Sequence, residues 1–281
     1  MFKDLIVPVT NTPGDANAIA AATALAIHAN AHLALLEFAN LPILPVGPWG
    51  SGEIGIGEIY GQIRDEAEHD AAAWRERLSR EVISLSFEVR VVESIADGSS
   101  NLAALHARCS DLSVMTMATD FVRDMPIIRD FFASLLLDSG RPVLLVPPGF
   151  GWRPAKRIVV AWQPRCEATR ALHDAMPFLH AAESVDVLEV DEVADEDASR
   201  FQPGVDIAAH LARHGLKARV VMQPQQGDSV ALQLVRHAQD TGAELIVAGG
   251  FGHSRLREWV LGGVTRDLLS GMCPVPILFS H

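Results

Sequence analysis

The sequence predicts an α/β protein made of two doubly wound sandwiches in tandem, each with a five-stranded parallel sheet. Three observations carry that prediction. Short apolar runs alternate with amphipathic stretches of helical period along the chain. The order of these runs in residues 1–148 is written a second time in residues 155–281, with a turn-rich segment between them. Strands separated by helices pair in parallel through right-handed crossovers, which place helices on both faces of the sheet.

Each repeat opens with a polar lead into a buried strand: Lys3 and Asp4 before Leu5, Ile6 and Val7, then Lys156 and Arg157 before Ile158, Val159 and Val160. A polar turn follows, then an amphipathic helix over about 15–28 in the first repeat and about 167–179 in the second. The second strands are the apolar runs 33–38 and 185–190, and the third are 87–92 and 217–221. Ser99 and Ser100, and Asp228 and Ser229, are expected to cap helices ending near Arg108 and Asp240, because short polar side chains satisfy the free amides of a first turn. The fourth strands are 112–117 and 245–250, and the fifth are 142–146 and 276–280. Residues 147–154, with Pro147, Pro148, Gly149, Gly151 and Pro154, form the linker between a domain of 1–148 and one of 155–281. The two fifth strands are candidates to pair with each other, which would make one polypeptide a pseudo-dimer; association of two chains into a homodimer is left open.

Residues 41–61 hold three prolines and six glycines and read as an irregular loop before a helix of roughly twenty residues ending near Arg80. Its apolar residues Ile43, Leu44, Trp49 and Ile54 suit either a cover over a ligand or partner chain, or a tethered surface flap. The acidic run 191–197 is read as a solvated loop and not a metal cluster.

With 281 residues, 49% of them hydrophobic, the chain has material for two ordinary cores. A formal net charge of −12 argues against nucleic acid as a partner, since such surfaces cluster Lys and Arg. Cys109, Cys166 and Cys273 are far apart, with no paired or metal-ligating spacing, which fits a reducing compartment. The opening residues lack a secretory pattern, and the Ala-rich stretch 16–36 is interrupted by His28, Asn30 and His32. No membrane span is expected, and the expected location is cytoplasmic.

Gly249, Gly250 and Gly252 follow the apolar run 245–248, and Gly262 and Gly263 precede Val264 and Thr265. Glycines after a buried strand let the backbone turn and approach a ligand with no Cβ in the way, and a following helix start presents free N–H groups to an anion. The spacing is neither the dinucleotide fingerprint nor the Walker loop. It resembles the nucleotide loop of the universal stress protein family, Gly-x2-Gly-x9-Gly-Ser/Thr, through Gly249, Gly252 and Gly262. Gly263 departs from the hydroxyl residue of that pattern; a lost hydroxyl bond to a charged oxygen would cost on the order of 1.5–3 kcal/mol. Thr265 offers a hydroxyl nearby. The resemblance covers essentially the whole chain and implies the tandem form, with strand order 3-2-1-4-5 in each half and ATP or a related adenine nucleotide, with Mg²⁺, at the carboxyl ends of strands one and four.

By the same resemblance Gln163 stands where the family has an acid that contacts adenine or ribose, and Thr10 holds that place in the first half. Val190 and Ala248 would flank the adenine, but packing is the stronger reading for both, because apolar strand residues are buried by default. His253, Ser254, Arg255 and Arg257 lie within phosphate reach, or else on a solvated face with Arg255 beside Glu258. In the first half Thr116, Thr119 and Arg129 replace the three glycines, so only the second half is expected to keep a nucleotide site. No catalytic motif is present, and His173, His180 and His237 are read as surface or capping residues on helices. The expectation is regulatory nucleotide binding, with at most slow ATP hydrolysis and a protein partner that reads the bound state. The alternatives are a nucleotide-free interaction scaffold and a sensor for another small ligand beneath residues 41–61.

Overall fold

The computed structural model describes residues 2–44, 53–96, 98–120, 122–191, 203–225, 229–250, 267–269 and 273–281. In the first half the elements are β1 (Asp4–Pro8), α1 (Asp15–Ala29), β2 (His32–Leu41), α2 (Glu53–Glu81), β3 (Phe87–Ile95), α3 (Ser99–Ala107), β4 (Leu112–Thr116), α4 (Asp124–Asp138) and β5 (Val143–Val146). The second half has β6 (Arg157–Ala161), α5 (Cys166–Asp174), α6 (Met176–Leu179), β7 (Ser184–Asp191), α7 (Pro203–Arg213), β8 (Ala218–Pro224), α8 (Val230–Thr241), β9 (Leu245–Gly249) and β10 (Ile277–Ser280).

The strands form one ten-stranded sheet in the order β3-β2-β1-β4-β5-β10-β9-β6-β7-β8. Each half therefore has the order 3-2-1-4-5, and the halves meet where β5 and β10 pair antiparallel, with Ile277 opposite Leu145 and Phe279 opposite Val143. The other strand pairs are parallel. Alternation along each strand sends side chains to opposite faces. Leu5, Val7, Leu33, Leu35, Leu144, Leu278 and Val160 join one core with residues of α1, α2, α5, α6 and α7. Ile6, Leu36, Leu145, Phe279 and Ile246 join the other, with residues of α3, α4 and α8. Strands buried on both faces read as continuous apolar runs, which is why β5 is simply Val-Leu-Leu-Val.

Local chemistry fixes several element ends. Asn30 closes α1 in the left-handed region at φ 50°, and Gly242 closes α8 at φ 63°. Ser229 caps α8 as expected, its hydroxyl accepting from the Leu232 amide. Ser99 does not act as a cap. Gly98 holds the N-cap position with no side-chain bond, and the Ser99 hydroxyl bonds Asn40 and Ser94 across the ends of β2 and β3.

Two helix expectations need correction. The helix expected at 167–179 is broken into α5 and α6 around Ala175, because Pro177 has no N–H to donate to the carbonyl of His173. The loop expected over 41–61 ends at Glu53, where α2 begins, and 45–52 lie outside the described residues. Gly55, Gly57 and Gly61 each weaken a helix by roughly 1 kcal/mol relative to Ala. Yet extending an existing helix avoids the nucleation penalty, and the Tyr60 hydroxyl anchors this end by donating to the Pro42 carbonyl at 2.8 Å. The linker is packed: Trp152 lies 5.8 Å from the Phe178 ring, which also meets Phe2 at 5.0 Å.

Glu37 points from β2 into the layer beneath α1 and α2 and is 2% exposed. Burial, reinforced by the Asp70 and Asp15 carboxylates, pushes its pKa up to about 7. A carboxyl whose folded pKa is raised favours the folded state least when ionised, so its penalty starts above the unfolded value near 4.5 and is complete above about 7. Glu37→Gln is expected to gain on the order of 2–3 kcal/mol over wild type at pH 8 compared with the difference at pH 4.5. Urea unfolding at both pH values measures this; an equal difference at the two would show that Glu37 is not the titrating group.

Candidate functional site

In the second half, β6 lies between β7 and β9 where the strand order reverses, the switch point at which open α/β sheets form a ligand crevice at their carboxyl edge. The strand registers bring the sequence-predicted residues to this edge. Ala161 is opposite Leu188 and Val160 is opposite Val247, so Gln163, Val190, Ala248 and Gly249 lie at or just past the ends of three adjacent strands. The Trp162 amide donates to the Leu188 carbonyl at 2.8 Å, and the Arg165 amide donates to the Gln163 carbonyl at 2.7 Å, closing a tight turn into α5. Gln163 is half-buried in that turn. Val190 and Ala248 are buried in the core with Leu188 and Ile246, which gives both a packing role.

Gly249 sits where a side chain is excluded. A Cβ there would lie 2.7 Å from the Ala168 nitrogen and 2.7 Å from the Glu167 carbonyl carbon, because the first turn of α5 packs against this strand end. A Cβ on Gly250 would fall 2.5 Å from a Leu136 methyl of α4, so the first half walls the start of the glycine segment. The Gly250 amide donates to the Ser280 carbonyl at 2.9 Å, continuing the pairing of β9 with β10. Gly252, His253, Arg255, Gly262, Gly263, Val264 and Thr265, together with Ser254, Arg257 and Glu258, lie outside the described residues. So does most of the acidic run, from 192 onward. Beside Gln163 an open groove runs along α5, lined by Pro164, Arg165, Cys166, Thr169, Arg170 and His173.

At the corresponding edge of the first half, the chain's own carboxylates hold the backbone amides. Asp15 accepts from the Thr10 amide at 3.0 Å, the Thr10 hydroxyl at 2.7 Å and the Thr12 amide at 3.1 Å. Burial raises the Asp15 pKa, and the Thr10 and Thr12 bonds work against that rise. After β4, the Asp124 carboxylate accepts from the Thr119 hydroxyl, the Thr119 amide at 3.3 Å and the Asp120 amide at 3.0 Å. Asp120 in turn accepts from the Val122 and Arg123 amides, bonds that lower its pKa. Thr116 fills the space over Gly14, where a Cβ would come within 2.4 Å of its methyl. Phe131 of α4 packs on Phe38, the first-half counterpart of Val190, at 5.6 Å, and Arg129 is exposed on α4.

His173 and His180 are exposed on or beside their helices, but His237 is not a surface residue. It is 7% exposed, with Nε2 3.1 Å from Asp186 Oδ2 and Nδ1 3.2 Å from the Gln223 amide nitrogen. Arg219 makes a two-point pair with the same Asp186, and this guanidinium, more than the imidazole, lowers the Asp186 pKa. The cluster lies near the start of β7, away from the crevice. Its sequence signal was the acid at 186 inside an apolar run, because a carboxylate in a buried strand needs a partner.

Among the described residues no group of three His, Cys, Asp or Glu can hold a metal ion, and no helix is long and apolar enough to cross a membrane.

No protein-family model and no curated protein matches the chain. Solved structures do. A universal stress protein from Archaeoglobus fulgidus DSM 4304 aligns over 99% of this chain and 95% of its own, with a TM-score of 0.71 at 14% identity. A functionally unknown protein from Pseudomonas aeruginosa PAO1 aligns over 99% and 92%, with a TM-score of 0.57 at 12% identity. A Pseudomonas aeruginosa UCBPP-PA14 protein provisionally named a universal stress protein aligns over 99% and 93%, with a TM-score of 0.58 at 12% identity. The chain thus has the universal stress protein fold over its full length, in the two-repeat arrangement.

The packing around Gly249 is directly testable. Gly249→Val drives a branched side chain into the α5 backbone and is expected to cost about 1–3 kcal/mol in urea unfolding. Gly151→Ala, where a Cβ meets nothing within 4 Å, serves as the control and is expected to stay within about 0.5 kcal/mol of wild type. Equal stability of the two variants would show that α5 yields freely at this contact.

Proposed function

We propose that the chain is a tandem universal stress protein whose second half binds ATP or a related adenine nucleotide, with Mg²⁺, as a regulatory ligand in the cytoplasm. The observation that carries this reading is the contrast between the two carboxyl edges. In the first half, Asp15 and Asp124 occupy the amides that a phosphate would need. At the equivalent edge of the second half, Ala168 stands where the first half has Asp15, with Glu167 as an acid in the first turn of α5, and Gly249 and Gly250 replace Thr116 and Met117. A helix N-terminus and side-chain-free backbone suit a polyphosphate, whereas carboxylates at the same place repel it. Gln163 contributes an amide that both donates and accepts, a weaker ribose partner than a carboxylate.

Regulation follows from order and not from chemistry. A nucleotide that prefers one arrangement of the segment after Gly249 shifts the population toward it, and a protein partner distinguishes the two surfaces. Turnover is slow or absent in this reading.

A second reading, a nucleotide-free scaffold, draws on one specific feature: Gly249 has a sufficient packing reason to be glycine. The two readings diverge under calorimetric titration of the full chain with ATP and Mg²⁺. Nucleotide binding predicts a saturable heat and stabilisation by about 2.7 kcal/mol at a hundredfold excess over Kd. Gly252→Val is expected to abolish both while leaving the unfolding midpoint of the free protein unchanged. No heat and no thermal shift at millimolar nucleotide would leave the scaffold reading standing.

A further inference from the structure

Three histidines meet where α5 and α7 pack, away from the carboxyl-edge crevice. His173 lies in the last turn of α5, His210 in the last turn of α7, and His214 just beyond it. The rings of His173 and His210 are 5.5 Å apart and those of His210 and His214 are 4.7 Å apart, both edge to face. His210 is the middle member, and its Nε2 is buried with no hydrogen-bond partner among the described residues. Beneath the cluster, Leu172 of α5 and Ile207 and Leu211 of α7 enter the same core.

This arrangement tolerates neutral imidazoles and opposes charged ones. Protonating His210 places a positive charge between two other basic rings and next to Arg213, and it aims an N–H into a volume with no acceptor among the described residues. Among the described residues the surrounding charges give no relief. Asp174, next to His173, is engaged by Arg170 at 4.0 Å. Asp206, one turn earlier on α7, is solvent-exposed. From the strand side, Lys217 precedes β8, while Arg219 and Asp186 face the other layer, bonded to each other beside His237 of α8. Burial, with His214, His173 and Arg213 adding to it, lowers the His210 pKa.

We propose that His173, His210 and His214 form a proton-operated latch that holds α7 against α5 while neutral and lets α7 loosen when His210 takes up a proton. A histidine with a depressed folded pKa contributes its full stabilisation above the ordinary value near 6.5, and this is lost as pH falls through the folded value. The latch thus works between neutral and mildly acidic pH. It does not depend on nucleotide binding.

Hydrogen exchange of the full chain, followed by mass spectrometry and corrected for intrinsic rates, tests this between pH 7.5 and 5.5. Protection of α7 is expected to fall below pH 6.5 by up to about tenfold per pH unit, the limit for one linked proton, while β5 and β10 keep theirs. His210→Phe keeps a ring in place with nothing to protonate and is expected to remove the pH dependence. The double variant His173→Gln, His214→Gln removes the flanking like charges, shrinks the dependence and serves if His210→Phe does not fold. Imidazole resonances of wild type followed by NMR give an independent reading, with His210 titrating below the ordinary value. A His210 midpoint at or above 6.5, an α7 loss no greater than that of β5, or an unchanged pH profile in His210→Phe would each overturn the latch.

Discussion

The antiparallel seam between β5 and β10 is the interaction on which the rest of the architecture depends. Val143, Leu144, Leu145 and Val146 are fully buried, as are Ile277, Leu278 and Phe279 opposite them. Apart, each half would end in a flat apolar edge with unpaired amides and carbonyls, a template for aggregation. Joined, the two edges satisfy each other, and both cores run across the seam without a break. Phe132 of α4 packs edge to face with Phe279 of β10 at 5.2 Å, and the Ala118 amide reaches the Leu269 carbonyl at 3.3 Å. The two repeats therefore share one sheet and both of its hydrophobic layers.

That continuity bears on the crevice. The strand end at Gly249 and Gly250 is bounded from two sides, by α5 of its own repeat and by Leu136 of the other. The first repeat, whose own carboxyl edge is closed by Asp15 and Asp124, still serves as a wall for its twin.

Much of this was legible in the sequence, for identifiable reasons. Apolar runs such as 143–146 and 245–248 announce strands buried on both faces, and their double occurrence announces the two repeats. The carboxyl-edge location of Gln163, Ala248 and Gly249 followed from the family resemblance, which supplied the strand order. Less legible was anything set by tertiary context. Glycine content hid the first turns of α2, because helix propagation overrides local propensity once a long helix exists. Pro177 split a helix whose apolar periodicity continued past it. His237 looked like a surface residue because its partners, Asp186 and Gln223, come from two different strands. The Asp15 and Asp124 bonds to backbone amides escaped notice because an acid near a helix start is ordinary in sequence and gains meaning only from the amides it faces.

One contact links the histories of the two halves. Where strand four meets the first helix, the first repeat sets Thr116 against Gly14, and the second sets Gly249 against the turn at Glu167 and Ala168. The bulk is conserved while its owner has changed sides. An engineer wishing to copy the glycine segment into the amino-terminal repeat therefore cannot exchange the strand end alone, because removing Thr116 would leave a void over Gly14. The helix start must be transplanted with it, so the unit of inheritance at this corner is the complementary couple.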